Sequence, residues 1–251
     1  DRAVNYIRAL DPQDAGFNLE TLPLDDRASY KLLSDAKTVA IFQLESRGMQ
    51  GMLKDARPDR FEDIIALVAL YRPGPMDLIP DFCKRKHGEK FDYPDPRTES
   101  ILSETYGIMV YQEQVMQMAQ IVGGYSLGGA DMLRRAMGKK KAEEMAEHRE
   151  IFRAGAAKDG LSTEKADEIF DLMEKFAGYG FNKSHAAAYA LLSYHTAYLK
   201  VHHTAAFMAA NMSLAMEDTE KIKILVEDAK EVCKLVILPP DVNESQFRFT
   251  P

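Results

Sequence analysis

The sequence predicts a mainly α protein with a few short strands. Apolar residues recur at three- and four-residue spacing over most of the chain, the pattern of helices that bury one face. Prolines and paired glycines punctuate those stretches, and runs with two-residue alternation are few and short. With 251 residues and 46% hydrophobic content, the chain can bury a core in one or two domains.

Ala3, Val4, Ile7 and Leu10 give a first helix, which the Asp11-Pro12 step ends. Residues 11 to 28 have connector composition, with Pro12, Gly16 and Pro23 among aspartates. Ser29 to Leu33 resumes a helix, Thr38 to Leu44 alternates as a short strand, and Arg60 to Leu70 is helical until Arg72-Pro73-Gly74-Pro75 stops it. Pro73 to Pro96 holds five prolines and the cluster Lys84-Arg85-Lys86-His87, which reads as an irregular surface excursion. Ile108 to Tyr111 leads from strand into a helix reaching about Val122, ended by Gly123-Gly124. Beyond the segment Gly128 to Lys141, a helix continues from Ala142 to about Ala157. Ser162 opens another, with Ala166, Ile169, Phe170, Met173 and Phe176 on one stripe, closed by Gly178 and Gly180. A long helix from Ser184 to about Met212, capped by Ser184 or Asn182, and one from Glu217 to Val232 follow; Leu235 to Leu238 is strand-like before Pro239-Pro240.

The formal net charge is -7, which disfavours a protein that coats nucleic acid but permits one local basic groove. Cys83 and Cys233 are the only cysteines, in no metal-binding spacing, and suit a reducing cytoplasm. No apolar run approaches the ~18 residues needed to span a bilayer. The termini read as cut rather than natural.

Against that acidic balance, Arg134, Arg135, Lys139, Lys140 and Lys141 crowd five cations into eight residues. Gly138 interrupts them at a cost of roughly 1 kcal/mol relative to Ala, which fits backbone passing close to a ligand. On a helix Arg134, Gly138 and Lys141 share a face, while Asp131 and Arg135 form an i, i+4 pair. Arginine forks match phosphate oxygens bidentately, so the segment reads as a phosphate grip. Tyr179-Gly180-Phe181-Asn182-Lys183-Ser184-His185 places Lys183 and His185 at a helix start, where free N–H groups already favour an anion. Tyr111-Gln112-Glu113-Gln114 puts polar residues at a strand-to-helix junction, and Arg72 sits in a rigid turn that could aim it.

Nucleotidyl transfer needs clustered carboxylates for divalent metals, commonly an Asp-x-Asp, and none occurs. There is no Walker A loop and no His-Glu-x-x-His. The chain is equipped to hold a phosphorylated substrate but not to transform it.

Six segments carry a resemblance: Phe42-Gln43-Leu44-Glu45-Ser46, Ala69 to Pro75, Tyr111 to Gln114, Gly128 to Lys141, Gly178 to Ala188, and Leu238-Pro239-Pro240-Asp241-Val242-Asn243. Co-linear along essentially the whole chain, they resemble the C-family replicative polymerases, the family of the bacterial DNA polymerase III alpha subunit. The resemblance implies part of a cytoplasmic DNA-directed DNA polymerase, a nucleotidyltransferase of DNA replication. Residues 1–28 would be the end of the palm and a connector, 29–197 the helical fingers domain that binds the nucleotide, and 198–251 the start of the next helical, helix-hairpin-helix-containing region.

In that family the metal-binding aspartates lie in the palm, the third a short distance before Asp1. Mg2+ would bind there, so this segment alone would hold neither metal nor catalytic residue and would be inactive. Arg134 and Arg135 match the arginines that reach the triphosphate of the incoming deoxynucleotide. Lys183 and His185 match positions near the nucleotide pocket, with His185 against the sugar or the nascent base pair. Tyr111 and Glu113 match polar residues lining that pocket and Tyr179 an aromatic beside it; Arg72, Lys139, Lys140 and Lys141 are further candidates for contact with DNA or phosphate. The sequence departs at Thr204, where many members have proline.

Implied partners are a deoxynucleoside triphosphate, primer–template DNA, the remainder of the alpha subunit, and the sliding clamp, proofreading and clamp-loader subunits, with no membrane. The competing class is a non-catalytic helical module that docks nucleic-acid backbone or an acidic protein.

Overall fold

The computed structural model describes residues 1–139 and 142–251, so the readings of Lys140 and Lys141 lie outside the described residues. Among these there are thirteen α-helices. In chain order they are α1 (Arg2–Leu10), α2 (Arg27–Ser34), α3 (Arg47–Ala56), α4 (Phe61–Leu70), α5 (Ile79–Lys86), α6 (Glu99–Leu102) and α7 (Gln112–Gly123). After them come α8 (Leu127–Lys139), α9 (Ala142–Ala157), α10 (Thr163–Ala177), α11 (Lys183–His202), α12 (Thr204–Leu214) and α13 (Thr219–Glu231). The extended pairing among the described residues is one isolated parallel bridge, Tyr111 with Phe181. The mainly α expectation holds.

The chain forms two compact units. The first comprises residues 1–64 and 189–251. In it α12 packs on α1 and α13, and α2 on α3, around Leu33, Leu53, Tyr194, Phe207 and Met208. Thr38 to Leu44, expected as a strand, is a run of turns with Ala40 and Gln43 at φ 66° and 65°. Ile41 and Leu44 are fully buried, but the loop's backbone is satisfied by side chains of α11 rather than by a ladder. Ser193 Oγ donates to Phe42 O (2.8 Å), Phe42 N donates to Thr196 Oγ1 (3.1 Å), and Lys200 Nζ donates to Lys37 O and Val39 O (3.0 and 2.9 Å).

The expected helix from Ser184 to Met212 is two helices, broken at His203 (φ -134°, ψ 50°). Thr204 opens α12. That first helical position is one that proline would also suit. Leu235 to Leu238 forms no strand; Val236 and Leu238 are exposed.

The second unit is residues 65–188. Here α7 packs on α8, α9 and α10 around Val115, Met118, Leu133, Phe152, Phe170 and Met173. Ser162 Oγ accepts from Lys165 N (3.2 Å) and caps α10, and Gly124 terminates α7. The stretch from Pro73 to Pro96 is more regular than its prolines suggest. Pro80 lies in the first turn of α5, where its missing N–H costs nothing, and Phe82 is buried.

Candidate functional site

The site is built where the strand-like entry to α7 meets the entry to α11. Gln112 N donates to Phe181 O (2.9 Å) and Phe181 N to Val110 O (3.1 Å). These two bonds set the N-termini of α7 and α11 side by side. Gly180 permits the approach, because a Cβ there would lie 3.0 Å from Gln112 Cα and 3.1 Å from its nitrogen.

The four residues Tyr111 to Gln114 do four different jobs. Tyr111 is 1% exposed and carries Lys183 Nζ 5.5 Å from its ring centroid. Gln112 Oε1 accepts from Arg134 Nη1 (3.4 Å), which ties α8 to the junction. Glu113 accepts from Asn182 Nδ2 (2.8 Å) and from Lys183 N (3.0 Å), so its carboxylate occupies the anion position at the start of α11. Gln114 is buried structure: its carbonyl accepts from Val110 N and Tyr111 N, and its amide donates to Thr105 Oγ1 (2.9 Å).

Asn182, not Ser184, caps α11, since Asn182 Oδ1 accepts from His185 N (2.8 Å). Phe181 organises the rest. The Arg72 guanidinium lies 4.6 Å from the Phe181 centroid and His185 meets the same ring edge-on at 5.4 Å. Arg72 Nε donates to Ala69 O (2.8 Å) and Arg72 Nη2 to Tyr179 O, and burial pushes the guanidinium below its ordinary pKa. Tyr179 is 47% exposed.

On α8, Arg134 Nε and Nη2 donate to Asp131 Oδ1 (3.1 and 2.7 Å), and Arg135 Nε lies 2.8 Å from Asp131 Oδ2. Hydrogen bonding to Arg134 holds the Asp131 carboxyl below the usual carboxylate range. The arginines then diverge. Arg134 turns to Gln112, whereas Arg135 and Lys139 line a cavity of about 590 Å³ with Tyr125, Ser126 and His148. An added Cβ at Gly138 would meet nothing within 4 Å, so packing does not require glycine there.

The structure thus joins Tyr111, Glu113, Lys183 and Arg134 in one contiguous set, gathers Arg72, Tyr179 and His185 around Phe181, and turns Arg135 and Lys139 to a neighbouring cavity. Phe181 and Glu104, whose Oε2 lies 2.7 Å from Lys183 Nζ, are the members to which sequence patterning assigned no role. Phe181 alone carried a signal, as an apolar residue between a glycine and a helix cap. Gly124-Tyr125-Ser126-Leu127-Gly128 also spells Gly-x-Ser-x-Gly, which the nucleophile elbow of hydrolases requires on a strand-to-helix turn. Here the turn joins two helices and Ser126 Oγ accepts from Gly129 N (3.1 Å), so the serine is a cap. Among the described residues no three His, Cys, Asp or Glu side chains form a metal-holding group, and no helix is long and apolar enough to cross a membrane.

A family profile described as "Bacterial DNA polymerase III alpha subunit finger domain" matches residues 1–160. DNA polymerase III subunit alpha of Xylella fastidiosa is 64% identical over 253 residues, covering 99% of this chain and 21% of the relative. The protein of the same name from Neisseria meningitidis is 63% identical over 231 residues (92% of the chain, 20% of the relative), and that of Escherichia coli K12 is 55% identical over 240 residues (92% and 21%). The chain spans about one fifth of the length of these relatives. A profile match over more than half of its residues, with this identity along nearly all of them, makes the chain a member of the bacterial DNA polymerase III alpha subunit family, carrying its finger domain.

Proposed function

We propose that, in the complete subunit, this segment binds the incoming deoxynucleoside triphosphate and presents it to the primer–template for nucleotidyl transfer. The observation that carries the reading is the Tyr111–Phe181 bridge, which gathers Arg134, Lys183 and Glu113 from three helices at one junction. Arg134 and Arg135 supply planar, permanently charged forks for phosphate oxygens, and Lys183 a third cation. His185 and Tyr179 are exposed rings beside them, suited to a sugar or a base. Arg72, Lys139, Lys140 and Lys141 are proposed as contacts to phosphate or DNA backbone. Metal-binding carboxylates and Mg2+ are proposed to lie in other parts of the subunit.

The test is single-nucleotide incorporation by the full-length subunit. A charge-assisted contact in a partly desolvated site is worth about 1.5–3 kcal/mol, so Arg134→Ala and Arg135→Ala should each lower kcat/KM for the nucleotide by roughly tenfold to a hundredfold. Affinity for primer–template should stay within about twofold. Unchanged nucleotide kinetics with weakened DNA binding would replace this reading by a backbone-docking module.

A further inference from the structure

The cations of this site are paired with carboxylates from within. Asp131 holds both arginines, with Oδ1 on Arg134 Nη2 at 2.7 Å and Oδ2 on Arg135 Nε at 2.8 Å. Lys183 Nζ lies 2.7 Å from Glu104 Oε2. All five side chains stay open to solvent: Arg134 is 26% exposed, Arg135 66%, Asp131 31%, Lys183 39% and Glu104 30%. Ion pairs between partly exposed side chains bind weakly, because water and salt screen them. A polyphosphate offers more oxygens and more charge than one carboxylate. It also matches a guanidinium fork bidentately.

Geometry adds a second reason for exchange. While Asp131 holds both guanidinium groups, Arg134 reaches toward Gln112 and Arg135 toward the cavity lined by Lys139. One ligand gripped by both arginines requires them to swing off that carboxylate. Asp131 would then remain close to the bound phosphates and repel them.

We infer that Asp131 and Glu104 are resident counter-anions, which stand where phosphate oxygens will stand and which a polyphosphate must displace. They offset two of the three positive charges of the empty site and set its affinity by competition. The inference rests on Arg134, Arg135 and Lys183 being the phosphate grip.

The measurement is the dissociation constant of the next correct deoxynucleoside triphosphate, on the full-length subunit with a chain-terminated primer–template. Asp131→Asn keeps the side chain's size and removes its charge, and should tighten binding about threefold to tenfold. Glu104→Gln should tighten it about twofold to fivefold, and Asp131→Glu should stay near wild type. The gain from Asp131→Asn should vanish in an Arg134→Ala, Arg135→Ala background, because there is no longer a pair to release. Unchanged or weaker binding in Asp131→Asn, with Arg134→Ala still impaired, overturns the exchange and makes Asp131 a positioning residue for the arginines. If Arg134→Ala and Arg135→Ala both bind as wild type, the phosphate grip itself is wrong and the inference falls with it.

Discussion

Arg134 and Arg135 commit their guanidinium groups differently. Arg134 bonds Asp131 through two nitrogens and Gln112 through the third, whereas Arg135 meets Asp131 through Nε. Lysine is a point charge without a fork. Arg134→Lys should therefore retain about a tenth of wild-type kcat/KM, and Arg135→Lys appreciably more. Similar losses from both lysine variants would mean that bound geometry, not resting geometry, decides. Lys183 and His185 should separate charge from shape. Lys183→Ala should lower efficiency for all four deoxynucleotides about equally, because a phosphate contact carries no base information. His185→Ala should instead shift the ratio of deoxy- to ribonucleotide incorporation, as a smaller side chain leaves room for a 2′-hydroxyl. A wild-type ratio with a lowered Tm would assign the ring to packing on Phe181.

Elements meet in this fold where small residues and caps allow it. A Cβ on Gly155 of α9 would lie 1.8 Å from Gly123 O at the end of α7. Gly155→Ala should thus force the helices apart and cost about 1–3 kcal/mol or more, read as a lowered urea midpoint. An unchanged midpoint would mean that the contact relaxes freely. Between α5 and α6, Asp95 accepts from Arg97 Nε (2.9 Å) and Nη2 (3.1 Å), and that guanidinium holds the carboxyl below the usual carboxylate range. A depressed folded pKa contributes stability above the ordinary aspartate value of about 3.9 and loses it as pH falls through the folded value. Asp95→Asn should accordingly lower Tm at pH 7 and flatten its decline below about pH 4. A parallel downward shift at every pH would assign the loss to hydrogen bonding alone.

For the whole molecule, the least forgiving feature is the ion pair of Lys200 and Asp228 in the first unit, 2.7 Å apart with side chains 1% and 4% exposed. Removing one partner leaves a buried charge, so Asp228→Ala should cost about 3–5 kcal/mol, while Lys200→Met with Asp228→Leu should recover most of it. A double variant as unstable as the single one would show that the Lys200 bonds to Lys37 O and Val39 O matter more than charge. At the scale of the subunit, purified residues 1–251 should give no primer extension, since no Asp-x-Asp is present to hold catalytic metals. Extension that survives removal of contaminating polymerase would overturn this.

Helix content, the caps at Ser162 and Gly124, the i, i+4 pair of Asp131 and Arg135, and the family were all legible in the sequence. Each depends on residues close in the chain or on motif order, and such signals survive without knowledge of the fold. Other outcomes depended on partners far away in sequence. The alternation from Thr38 to Leu44 serves a loop because Ser193, Thr196 and Lys200, about 150 residues on, satisfy its backbone. Tyr111 reads as a cleft residue, but core packing buries it under Lys183. The five-cation cluster shows where positive charge lies along the chain. Only the tertiary structure decides that Glu104 pairs with Lys183 and that Glu113 stands at the start of α11, because hydrogen-bond geometry over 3 Å between residues far apart in the chain is set by how helices pack, not by spacing in sequence.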